Sequence, residues 1–203
     1  MSNTSPLSEP AAREPVHKRQ VITDGFHRDD GLFDIEARLL DTRAVVDNLP
    51  FGAPNGRLVQ AGDAIHDMRI RLTIDASLVV RAVEVQMPSV PFETCPSVMP
   101  AHQGLVGAQI GKGWRRVVNE NVGGVLGCTH LRELLMAMAT VAFQTVGAWK
   151  RKGKSAEDAL KETSVPFFMN TCKSWAVDGP VVARLYPQFA IHPVGDDDGS
   201  AQQ

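Results

Sequence analysis

Six side chains in this sequence have types and positions that could do chemistry: His66, Asp67, Cys95, Cys128, His130 and Cys172. Cys128 and His130 stand two residues apart where a long helical pattern begins. The free N–H groups and dipole of a helix N-terminus lower a thiol's pKa and keep an imidazole neutral. Cys and His are also the ligand types of Zn²⁺ and of iron–sulfur clusters. Two chemistries follow. In the first, His66, Cys95 and Cys128 converge on a metal, with Asp67 or His130 as a fourth ligand or as hydrogen-bond partner to one. In the second, Cys128 is a nucleophile and His130 or His66 its base. A third reading has no site: the cysteines merely pack, in a metal-free binding module. Cys172 reads as structural, and His17, His27, His102 and His192 as solvated.

The separations, 29 residues from His66 to Cys95 and 33 from Cys95 to Cys128, are too long for a local turn to close. Tertiary structure must gather these groups. Leu131, Leu134, Leu135, Met138, Ala142, Val146 and Trp149 follow Cys128 on a 3.6-residue period, which predicts a core helix to about Lys150. Strict alternation predicts strands over 32–40, 65–74 and 78–87. By that alternation His66 shares the apolar face of Met68, Ile70, Leu72 and Ile74. The short turn at Asp75-Ala76-Ser77 makes the last two strands a hairpin. Trp114, Val117, Val118 and Val122 predict a short helix closed by Gly123-Gly124. Ser155 and Asp158 have the spacing of a capping box for a helix to about Glu162. Residues 181–185 read as a brief strand. The fold class expected is α+β: a three-stranded antiparallel meander with helices on one face.

The chain of 203 residues is 43% hydrophobic and 22% charged, values that suit a single soluble domain over 31–191. Residues 1–30 and the acidic tail 192–203 read as mostly disordered, because they carry little apolar periodicity. A formal net charge of −2 and 6% aromatic residues give no footprint for nucleic acid. No apolar run suits a membrane span, and the N-terminus lacks the apolar core of a signal peptide. Three cysteines far apart do not form a disulfide framework, so a cytoplasmic, reduced setting is expected. Phosphate-loop, dinucleotide, Gly-x-Ser-x-Gly, Cys-x-x-Cys and His-Glu-x-x-His motifs are absent.

Two resemblances add to this. Gly31-Leu32-Phe33-Asp34-Ile35-Glu36, Ile65-His66-Asp67-Met68, Leu105-Val106-Gly107, Gly113-Trp114 and Gly127-Cys128-Thr129-His130-Leu131 occur in the order of the bacterial domain of unknown function 2889 family. The chain resembles that family over about 31–187, a likeness that carries no activity with it. Over about 65–149 it is also distantly similar to iron–sulfur scaffold proteins of the NifU N-terminal type. That likeness aligns His66 with the scaffold's first cysteine, Asp67 with a site near its aspartate, and Cys95 and Cys128 with its other cysteines. It departs from the scaffold in having histidine for the first cysteine and in lacking the Ala/Ser-rich helix after the loop cysteine. It implies a metal- or iron–sulfur-binding accessory protein, with a protein partner in a metal or cofactor pathway.

Overall fold

The computed structural model describes residues 8–46, 59–155, 158, 161 and 163–191. Most of the Gly/Pro-rich turn expected at 49–62, most of the helix after Ser155, and the acidic tail lie outside them. The chain forms two compact units, 1–150 and 151–203.

The first unit is built on one antiparallel sheet of four strands, not three, in the order β1 (His17–His27), β2 (Phe33–Arg43), β3 (Ala64–Ile74) and β4 (Val80–Ser89). The last three follow from alternation. Phe33, Ile35, Ala37 and Leu39 from β2 join Met68, Ile70, Leu72 and Ile74 from β3 in the core. The additional strand, β1, lies in the segment read as mostly disordered. Its side chains are almost all exposed, so it has no apolar period to detect. Eleven residue pairs with β2, from His17↔Arg43 to His27↔Phe33, hold it in the sheet.

Two helices cover the apolar face: α1 (Trp114–Val122) and α2 (Thr129–Arg151). Trp114, Val118 and Val122 from α1 and Leu131, Leu134, Leu135, Met138, Ala142 and Val146 from α2 are buried in the same core. The Trp114 indole donates to the Leu135 carbonyl at 3.0 Å, which locks one helix to the other. The Pro-rich stretch before them winds into 3-10 turns over Cys95–Leu105. His102, read as solvated, is instead fully buried there, with Nδ1 3.2 Å from the Val98 and Met99 carbonyls.

Helix α2 also explains how an exposed strand stays in place. Arg19 bonds Glu133 at 3.1 Å. Gly25 approaches so closely that a Cβ there would lie 1.8 Å from Thr145 Oγ1. His27 stacks on Trp149, ring centroids 3.7 Å apart. From Arg19 to His27 a strand advances about 26 Å. From Glu133 to Trp149 a helix advances about 24 Å. The two therefore run side by side in the same direction, and α2 grips β1 along its length.

The second unit has a small core of Met169, Val182 and Tyr186, with Phe168, Trp175 and Phe189 packed around it. Its residues Pro180–Leu185 form a short helix, α3, where a strand was expected. Pro180 at the first turn suits a helix start, since it has no N–H to leave unpaired. Ser155 and Asp158 exchange the reciprocal bonds of a capping box, Ser155 N–H to the carboxylate at 2.8 Å and Asp158 N–H to the hydroxyl at 3.3 Å.

Candidate functional site

Asp41 is the centre of the site. It continues the core-facing row of β2 two residues past Leu39, and antiparallel pairing sets it between Arg19 on β1 and His66 on β3. Directly paired residues in a sheet point their side chains to the same face. A bulge sits at this row: Asp41 pairs with His66 and Thr42 with Ala64, so Ile65 has no partner on β2. Such bulges bend a strand end and re-aim its side chains. The N-terminus of α2 reaches the same edge and adds Cys128 and His130.

The Asp41 side chain is only 1% exposed. Arg19 donates to both of its oxygens, Nε to Oδ1 and a terminal nitrogen to Oδ2, each at 2.8 Å. His66 Nδ1 lies 3.0 Å from Oδ2. His17 Nε2 stands 3.4 Å from Oδ1, and His130 Nε2 3.7 Å from Oδ2. The His66 and His130 rings are 4.0 Å apart and tilted by 39°. Burial pushes the Asp41 carboxyl up, but the hydrogen bonds and charge of Arg19, with help from His66, outweigh it and hold the group below the usual carboxylate range. An ionised carboxylate only accepts, so the His66 proton belongs on Nδ1 and its Nε2 carries a lone pair. Burial, reinforced by the nearby His130, lowers the His66 pKa against the pull of Asp41. Both effects favour the neutral form of His66.

Cys128 is the N-cap of α2, since its carbonyl accepts the Arg132 N–H at 3.0 Å. Its Sγ lies 3.7 Å from His130 Nδ1. Burial pushes this thiol up, yet the bond with His130 and the backbone N–H groups of Leu131 and His130 bring it below the ordinary thiol value. His130 therefore uses both ring nitrogens, Nδ1 toward the sulfur and Nε2 toward the buried carboxylate. Thiol, imidazole and carboxylate stand in a row.

Of the residues singled out in the sequence, His66, Cys128 and His130 come together here. Asp67 does not; it belongs to the opposite face of the sheet. There Arg38 holds it at 2.8 and 2.9 Å, and Arg69 at 2.9 and 3.3 Å. The same face carries a cleft of about 400 Å³ whose lining includes Arg38, Arg69, Arg71, Glu36 and Glu84. Cys95 opens the 3-10 segment, half-buried, and Cys172 is exposed in the second unit. Among the described residues, the group of three Cys, His, Asp or Glu whose ligand atoms all lie within 4.8 Å of one another is Asp41, His66 and His130. Asp41 and Arg19 were not singled out by the sequence reading. The available signal was a charge falling on the apolar parity of β2, one residue past the predicted strand end.

No helix among the described residues is long and apolar enough to cross a membrane. A family described as "Protein of unknown function (DUF2889)" matches residues 17–144. The match opens at the first residue of β1 and ends within α2, so it takes in His17, Arg19, Asp41, His66, Cys128, His130 and Glu133. No curated protein and no solved structure matches the chain. With more than half its length matched, and every member of the Asp41 cluster inside the matched span, the chain belongs to the DUF2889 family.

Proposed function

We propose that this protein is a thiol enzyme in which Cys128 attacks an electrophilic carbon. His130 takes the thiol proton on Nδ1, and Asp41 stabilises the resulting imidazolium across 3.7 Å. The sulfur forms the new bond, and the leaving group departs with the proton from His130. The observation that carries this reading is the single imidazole held between a helix-terminal thiol and a buried carboxylate. Arg19 serves as a positioning residue by fixing both oxygens of Asp41.

A second reading, a bound Zn²⁺-type ion, draws on the closeness of Asp41, His66 and His130. Two His and one carboxylate make a known metal-binding set. A carboxylate has about four acceptor positions. Arg19 uses two, His66 a third, and His17 stands near the fourth. An ion on Asp41 would have to displace one of them, beside a guanidinium that repels it. An iron–sulfur cluster on His66, Cys95 and Cys128 would need their donor atoms gathered, and among the described residues these three do not form such a group.

The test is iodoacetamide labelling of the full chain, with the modified cysteine identified by peptide mass. Rapid labelling of Cys128, slowed by His130→Ala and unchanged by prior chelation, supports the thiol enzyme. Labelling that chelation accelerates, together with stoichiometric metal in the purified protein, supports the ion instead.

A further inference from the structure

Three histidines, His17, His66 and His130, stand around Asp41, and the thiol meets only His130. His130 faces Cys128, whereas His66 is fixed by Asp41 through Nδ1 and presents an unprotonated Nε2. Its side chain is 17% exposed, so water reaches it. Its ring lies 4.0 Å from that of His130, next to the sulfur's own partner. A neutral imidazole with a fixed tautomer, wet on one side and beside a nucleophile, has the properties of a general base.

We propose that His66 activates the water that releases an acyl group from Cys128, which makes the protein a hydrolase of acyl compounds. This rests on the thiol reading above. In the first step the Cys128 sulfur attacks the carbonyl carbon of an ester or thioester. The alcohol or thiol leaves with the proton that His130 received, and a thioester on Cys128 remains. In the second step His66 Nε2 takes a proton from water as its oxygen bonds to the same carbon. The C–S bond breaks, the acid departs, and the sulfur regains the proton that His66 took from water. The division of labour assigns acylation to His130 and deacylation to His66. Asp41 orients His66 through a hydrogen bond and stabilises His130 by its charge.

The experiment uses the full chain and p-nitrophenyl acetate as the acyl donor. His66→Asn is the informative variant, because its amide N–H can replace Nδ1–H toward Asp41 while the Nε2 lone pair is lost. Wild type should release p-nitrophenolate over many turnovers. His66→Asn should release about one equivalent in a burst and then slow by about 100-fold or more. An acetyl group should persist on its Cys128 peptide. Turnover by His66→Asn at the wild-type rate, through an acetylated Cys128, overturns the role of His66. So does loss of the burst together with turnover, which would make His66 a scaffold for the thiol. Absence of acetyl-Cys128 in wild type and variant alike refutes the underlying thiol reading instead.

Discussion

Replacing Asp41 with asparagine tests the electrostatic centre of the site. The substitution keeps the shape and removes the charge that Arg19, His66 and His130 share. Breaking a fully buried ion pair costs about 3–5 kcal/mol, because the surviving charge is left without a partner. Arg19 keeps its bond to Glu133 and its side chain is 36% exposed, so partner and water relieve part of that loss. The amide keeps one acceptor oxygen, so at least one of the hydrogen bonds from Arg19 or His66 is lost as well, worth about 1 kcal/mol. The expected cost of Asp41→Asn at neutral pH is therefore about 2–3 kcal/mol. The pH dependence has a definite sign. The folded state holds the Asp41 carboxyl below its ordinary value, so the unfolded state binds the proton first as pH falls. The stability Asp41 contributes is present in full above the unfolded value of about 4 and is lost as pH drops through the lower folded value. Urea unfolding of both proteins at neutral pH and at about pH 3 reads this directly. The gap between them should shrink in acid. A variant within about 0.5 kcal/mol of wild type, or a gap that does not change with pH, refutes the account of Asp41 as an ionised anchor.

Three further predictions concern the frame. Leu135 is fully buried at the α1–α2–sheet junction, so Leu135→Ala should cost about 2–5 kcal/mol in the same urea assay. Gly25→Ala drives a methyl into Thr145 and should destabilise by about 1–3 kcal/mol, and adding Thr145→Ala should recover part of that. A chain starting at residue 16 keeps β1 and should unfold cooperatively. One starting at residue 28 bares the β2 edge and frees Asp41 from Arg19, and should aggregate or lose its sharp transition on heating.

Much of the frame was legible in the sequence because burial imposes a period. The α2 stripe and the strands β2, β3 and β4 each turn one face to the core, and each was readable. Strand β1 was not, because its stability comes from backbone pairing with β2 and from Arg19, Gly25 and His27 against α2, none of which leaves an apolar alternation. The segment Pro180–Leu185 was ambiguous for a related reason: a six-residue, mostly apolar stretch fits either period, and its proline start suits a helix. At the site, Cys128 and His130 were legible as a pair because two residues at a helix start must be neighbours. His66 was legible through parity. Asp67 was the tempting partner because it adjoins His66, yet adjacency in a strand puts two side chains on opposite faces. The carboxylate that meets His66 is across the sheet, where cross-strand register rather than sequence distance makes neighbours.

The central claim is that His130 and the α2 terminus activate Cys128. Its most direct test is the rate of iodoacetamide labelling at Cys128, followed by peptide mass across pH, in wild type and His130→Ala. An ordinary thiol shows a midpoint near ~8.5 in this assay. The expected result is a Cys128 midpoint clearly below that value in wild type, returning upward in His130→Ala because the imidazole partner is gone. A wild-type midpoint at or above the ordinary value, or one that His130→Ala leaves in place, contradicts the account.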